Sequence, residues 1–275
     1  MKLVEKVVTD MKKIAGGEKT PAGKVTVEMT SENPLGSGMG SSAAWGASLA
    51  CALLHAAHFL LTGQTFDNSR EKEFVWSYTN FLEALYHGRP SGCDAAVSIH
   101  GGVLFYQRGT PPAKTIVRPL PRCKLDSLGM LVVNTNQKKD TKRLVAQVGA
   151  FKQANPEEFR ELVNTLGDVT SELVECLQEQ TLDPFAFLDY ISMNQQYLQD
   201  LGVSAPAIDD IVSAMMLREV HGKLTGAGGG GCVIGFPKDP RSADLEGLRT
   251  DLTAKGYTVL DNISVGHSGY SVRFN

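Results

Sequence analysis

"PLGSGMGSSAAW", residues 34 to 45, sets Gly36, Gly38 and Gly40 directly ahead of Ser41, Ser42 and an alanine-rich run. Lacking side chains, these glycines let backbone N–H groups come close to an anion. Upstream, "KVTVEMT" (24–30) alternates Val25, Val27 and Met29 with polar residues, as a half-buried strand does. Downstream, "AAWGASLACALLHAAHFLL" (43–61) reads as an apolar helix. Strand, glycine loop and helix in this order aim free N–H groups at a helix start, where anions are favoured. Ser41 or Ser42 can offer a hydroxyl to phosphate or to a metal, since Mg²⁺ prefers oxygen ligands. The loop lacks the lysine of the common P-loop pattern, and glycines before a helix also make plain tight turns. By itself the loop leaves both readings open.

The chain has 275 residues, enough for one large domain or two modest ones. It is 42% hydrophobic and 21% charged, an ordinary globular balance, and a net charge of -3 argues against general nucleic-acid binding. The five cysteines, Cys51, Cys93, Cys123, Cys176 and Cys232, are scattered. With no CxxC and no Cys/His cluster in the sequence, zinc is not expected, and the odd count suits a reducing compartment. Residues 43–61 are long enough to cross a bilayer, but Gly46, Ser48, His55 and His58 favour a buried helix over a membrane span. The amino end has no signal-peptide core. Instead Val4, Val7, Val8, Met11 and Ile14 recur at helical spacing.

Two further stretches bear on chemistry. "EKEFVWSYTNFLEALYH" (71–87) predicts a helix with Phe74, Tyr78, Phe81 and Leu85 on one face and Glu83 opposite. "RPSGCDAAVS" (89–98) then breaks it at Pro90 and Gly92 and places Asp94 in a turn, ahead of a strand-like "GGVLFYQ" (101–107). Glu83 and Asp94 could divide two tasks of phosphoryl transfer, one holding Mg²⁺ and one accepting a hydroxyl proton. A surface glutamate and an aspartate in a turn are also common without any such role. In "HGKLTGAGGGGCVIGF" (221–236), Gly226, Gly228, Gly229, Gly230 and Gly231 crowd between a polar-capped helix and a buried strand. A linker has little purpose there, so close packing against a ligand or another loop is the better reading. The Pro-rich "GTPPAKTIVRPLPRCK" (109–124) marks a boundary between lobes at 1–125 and 126–275. Beyond it come a strand in "LGMLVVNT", three or four amphipathic helices from about 140 to 221, a strand in "GCVIGF", a helix in "ADLEGLRTDLTAK", and strands in "YTVLD" and "YSVRF". The pattern is α+β.

"GMGSSAA", "EALYHGRPSGCD", "NTNQKKDT", "MNQQYLQDLGVS" and "HGKLTGAGGGGC", in this order, resemble the GHMP kinase superfamily, with the middle three pointing to its mevalonate kinase branch. The resemblance covers roughly residues 24 to 275. It implies a two-lobed fold, with an S5 domain 2-like amino lobe and a ferredoxin-like carboxyl lobe. It implies transfer of the ATP γ-phosphate to the primary hydroxyl of (R)-mevalonate, with Mg²⁺ as cofactor. The backbone of Gly36, Ser37, Gly38, Met39, Gly40, Ser41 and Ser42 would wrap the ATP phosphates. Ser42 and Glu83 would coordinate Mg²⁺, and Asp94 would take or orient the hydroxyl proton. Lys139, Thr141, Thr225, Gly226, Gly228 and Gly229 match positions near substrate or in the site wall, while Asn134 and Thr135 start the turn that delivers Thr141. The family is often dimeric, which leaves a homodimer open. A cytoplasmic location is expected, with peroxisomal association open, although "VRFN" is not an SKL-type signal.

The family's amino-terminal "PGKVxLxGEHxVV" segment, with its lysine, has no full counterpart. "PAGKVTVEMTSEN" (21–33) lacks the Gly-Glu-His and leads straight into the glycine loop. The expectation is a chain shortened at its amino end. The alternative to an active kinase is an impaired or dead relative that binds nucleotide or acts as an interaction protein. Arg89 stands where the family usually has Asn, and Cys93 and Ala95 flank Asp94 where Val and Asn are usual.

Overall fold

The structure is a computed structural model and describes residues 2–15, 26–31, 39–66, 70–87, 90–110, 113–120, 125–137, 140–179, 182–241, 244–263, 265 and 269–270. The fold is α+β, and its chain packs into two compact units, the change falling between Pro119 and Leu120. Residues 269 and 270 belong with the first unit.

Among the described residues, the first unit holds four helices, α1 (Lys2–Ala15), α2 (Ser41–Thr62), α3 (Glu71–His87) and α4 (Cys93–His100). With them is a two-stranded antiparallel ribbon, β1 (Leu104–Gln107) and β2 (Ile116–Pro119). α2 is rich in alanine, a strong helix former, and its buried face is built largely from Ala43, Ala47, Ala50 and Ala57. Small side chains let neighbouring helices approach closely. At Gly46 an added Cβ would already touch the Thr79 methyl of α3 at 3.4 Å. Leu3, Val7 and Met11 of α1, Leu54 of α2, Val75, Tyr78 and Leu82 of α3 and Ile99 of α4 form the core. α2 is long and apolar enough to cross a membrane by length and composition, yet it packs against α1, α3 and α4.

Four sequence expectations change here. Thr26–Thr30 form no strand and are mostly exposed. The alternation is present, but no neighbouring strand among the described residues supplies a ladder, and a lone strand is not stable. The α1 and α3 helices form as expected, but their buried faces are rotated from the predicted ones. Val4, Ile14 and Leu85 are exposed, while Leu3, Val75 and Leu82 are buried. Finally, the Pro-Ser-Gly stretch does not lead into a strand. Gly92 adopts φ 86° as the N-cap of α4, and Asp94 lies in that helix's first turn.

The second unit has a four-stranded antiparallel sheet of β3 (Met130–Asn134), β4 (Val220–Leu224), β5 (Cys232–Pro237) and β6 (Thr258–Ile263), in the order β4-β5-β3-β6. Between β3 and β4 run α5 (Thr141–Ala154), α6 (Pro156–Gln178), α7 (Pro184–Asp200) and α8 (Pro206–Met216), and α9 (Asp244–Ala254) joins β5 to β6. With α5–α8 counted as one connection this is β-α-β-β-α-β, the ferredoxin-like succession with added helices. α6, α7 and α8 each open on proline, whose missing N–H costs nothing at that position. Ile208, Ile211 and Met215 of α8 and Leu248 and Leu252 of α9 pack on Leu131, Val133, Val220, Leu224 and Val233 of the sheet. β4 lies where sequence reasoning extended a helix to 221, because Gly222 and Lys223 mask its short apolar alternation. "YSVRF" falls almost wholly outside the described residues.

Candidate active site

Three elements of the first unit bring the predicted catalytic residues together. Gly40 ends the glycine loop with φ 68° and stands as the N-cap of α2, so Ser41 and Ser42 occupy that helix's first turn. Ser41 is buried, and Ser42 is exposed. The Ser42 hydroxyl donates a hydrogen bond to Oε1 of Glu83, which reaches over from α3. Asp94 arrives from α4. A Cβ built on Gly40 would lie 3.7 Å from Asp94 Cβ and 3.8 Å from its Cγ, so the loop end and the aspartate are neighbours. Residues 40, 42, 83 and 94 thus converge at the starts of two helices, where backbone N–H groups favour anions.

The start of α4 is held firmly. The Cys93 N–H donates to the Ser91 hydroxyl at 3.2 Å, and the Tyr106 hydroxyl donates to the Ser91 carbonyl at 2.5 Å. Glycine is required at 92: besides its left-handed backbone, a Cβ there would sit 2.8 Å from the Tyr106 hydroxyl. Tyr106 and Ser91 therefore fix the turn that delivers Asp94. Sequence reasoning missed both, because nothing in "LFYQ" marks one tyrosine as a brace. Burial, then the Asp94 charge, raises the Cys93 thiol above its ordinary range.

In the second unit the β4–β5 connection is a packed loop. The Thr225 N–H and hydroxyl both donate to the Cys232 carbonyl, at 2.9 and 3.0 Å. The Thr135 N–H donates to the Gly231 carbonyl at 2.8 Å, tying the loop to the end of β3. The Gly229 N–H donates to the Val203 carbonyl at 2.9 Å. At Gly228, φ is 81° and a Cβ would lie 2.0 Å from that same carbonyl oxygen, so only glycine fits. Leu144 of α5 packs on Gly229, and Thr141 opens α5 behind an Asp140 cap that accepts from the Arg143 N–H at 3.0 Å. Thr141, Thr225, Gly226, Gly228 and Gly229 are thus gathered at one end of this unit's sheet. Met39 is half-buried. Gly36, Ser37, Gly38, Arg89 and Lys139 lie outside the described residues.

A glycine-capped helix, a Ser–Glu oxygen pair and an adjacent aspartate lie together in the first unit, and the second unit is ferredoxin-like. The GHMP kinases N terminal domain matches residues 2–102, and GHMP kinases C terminal matches residues 148–247. The chain belongs to the GHMP kinase superfamily. Within it, the chain is similar to mevalonate kinases. It is 34% identical to that of Mus musculus over 255 residues, covering 88% of this chain and 62% of the relative. It is 33% identical to that of Homo sapiens over 256 residues, with the same coverage of 88% and 62%. Among solved structures, L. major mevalonate kinase in complex with R-mevalonate superposes with a TM-score of 0.64 at 23% identity, covering 82% of this chain and 67% of that one. The chain spans about three fifths of the length of these curated relatives.

Proposed function

We propose that this chain is an ATP-dependent kinase that phosphorylates the primary hydroxyl of (R)-mevalonate. The observation that carries the reading is the convergence of Gly40, Ser42, Glu83 and Asp94 from a loop and three helices into one place. The similarity to mevalonate kinases supports the choice of alcohol.

Backbone N–H groups of Met39 to Ser42 bind and orient the ATP phosphates at the start of α2, together with Gly36, Ser37 and Gly38. The Ser42–Glu83 pair offers oxygen donors, which suit a hard divalent cation. When bound there, Mg²⁺ neutralises charge on the phosphate oxygens. Asp94 accepts the proton of the substrate hydroxyl as its oxygen forms a bond to the γ-phosphorus. The bond from that phosphorus to the bridging β-oxygen breaks, and ADP leaves. We place the protein in the cytoplasm, the compartment that an odd, unpatterned set of five cysteines suits. The test is transfer of label from γ-labelled ATP. Labelled 5-phosphomevalonate is expected with (R)-mevalonate, whereas label on a different alcohol would reassign the substrate. Nucleotide binding without transfer would favour the inactive-relative alternative.

A further inference from the structure

One polar cluster of the first unit takes no part in phosphoryl transfer. Cys51 and His55 are four residues apart on α2, so their side chains leave the same face. Glu71 opens α3 opposite them. The Cys51 sulfur, a ring nitrogen of His55 and a carboxylate oxygen of Glu71 all lie within 4.8 Å of one another. His55 Nε2 is 3.5 Å from Glu71 Oε2. The other carboxylate oxygen, Oε1, accepts a hydrogen bond from the Tyr270 hydroxyl at 2.6 Å. Cys51 and His55 are 5% and 7% exposed, within the same apolar core as Leu54 and Phe66. The Phe66 ring stands edge-on to the imidazole, 5.8 Å between centroids.

We propose that Cys51, His55 and Glu71 form a structural site for a divalent cation of zinc type, which joins the middle of α2 to the start of α3. Polar and ionisable groups are costly in an apolar core unless they are paired or coordinate a metal. As thiolate, neutral imidazole and carboxylate, the three carry two negative charges, which one divalent cation balances. The donor set is one sulfur, one nitrogen and one oxygen. Thiolate and imidazole suit zinc and its transition-metal neighbours, while Mg²⁺ and Ca²⁺ take oxygen. Three protein ligands leave a fourth tetrahedral position for water. Zinc bonds of ~2.0–2.3 Å put donors ~3.4–3.8 Å apart. The His55–Glu71 pair already meets that spacing, and the widest separation closes by about 1 Å with side-chain rotation. Tyr270 fixes one oxygen of Glu71 and leaves the other toward the site, the usual task of a partner behind a metal ligand. Binding as thiolate, Cys51 gives up one proton to solvent on metal uptake.

This site is separate from the Ser42–Glu83 pair. The nine steps from Ser42 to Cys51 span roughly 14 Å of α2 at about 1.5 Å each. The sequence hid it because Glu71 comes from another helix, and Cys51 with His55 alone reads as an apolar helix face.

The experiment is a titration of the chelator-treated, full 275-residue chain with Co²⁺ under reducing, anaerobic conditions. One equivalent is expected to produce a thiolate-to-cobalt charge-transfer band, which Zn²⁺ then bleaches by displacement. Zn²⁺ is expected to raise the thermal unfolding midpoint. Cys51→Ser should abolish the band, and Tyr270→Phe should weaken Zn²⁺ affinity about 10–100-fold. Should Cys51→Ser fail to fold by circular dichroism, Glu71→Gln carries the same comparison. Absence of a thiolate band at stoichiometric Co²⁺ would overturn the proposal. So would a band unchanged in these variants, which would place the thiolate at Cys93, Cys123, Cys176 or Cys232. None of these readouts involves ATP, so they stand apart from the kinase reading.

Discussion

Ser42 and Glu83 meet through one hydrogen bond from two helices, and the proposed metal role of the pair is tested at Glu83. Glu83→Gln keeps the shape and the hydrogen-bonding capacity but removes the charge. It should raise the Mg²⁺ concentration needed for half-maximal activity about tenfold or more, a shift worth roughly 1.4 kcal/mol. Unchanged metal dependence would remove Glu83 from the site. Lys223 gives a second residue-scale outcome. Burial lowers its pKa from 10.5 to about 8, and its ammonium donates to the Leu224 carbonyl at 3.0 Å. The folded chain therefore loses this proton at lower pH than the unfolded chain does. Below pH 8 folding bears the full cost of the buried charge; from 8 to 10.5 the unfolded state holds more protons, so this contribution to stability rises with pH. Lys223→Met should be more stable than the parent below pH 8, by roughly 3 kcal/mol before the lost hydrogen bond is counted. Urea unfolding across that window checks it: the advantage should shrink toward pH 10.5, and a constant difference would contradict a charge-disfavouring site.

At the scale of elements, the β4–β5 loop acts as a rigid brace, because its backbone packs directly on Val203 and Leu144. Gly228→Ala should lower the unfolding free energy by about 1–3 kcal/mol from backbone strain, with the clash at Val203 adding to it. Gly149→Ala, in open space on α5, is the control, expected neutral or stabilising by up to about 1 kcal/mol. Equal stabilities for the two variants in denaturant unfolding would sink the brace reading. This loop was legible in sequence because five glycines in six positions have few structural uses. α3 was legible too, through a long periodic run. α4 was not, since Pro90 and Gly92 look like a break, and only the structure shows Gly92 serving as a helix cap. The faces of α1 and α3 were misplaced because spacing alone does not say which neighbour each side chain meets. On α3, Val75, Tyr78 and Leu82 face the core, and large aromatics partly line its edge. Ser42, Glu83 and Asp94 were each visible as residue types, but their meeting depends on three helices whose packing no local pattern encodes.

For the whole molecule, membership of the GHMP kinase superfamily rests on both units, each matched by its own domain of that family. The net charge of -3 is compatible with the proposed small-molecule kinase. The chain covers about three fifths of its curated relatives, so activity must be read on these 275 residues themselves. The direct measurement is mevalonate-dependent ADP release by the purified chain with ATP and Mg²⁺, beside Asp94→Ala. Turnover that falls roughly 10²–10⁴-fold in the variant, with ATP binding retained, is the expected result for a residue that takes the hydroxyl proton. Equal turnover in both proteins, or none from a folded chain that binds ATP, would contradict the account.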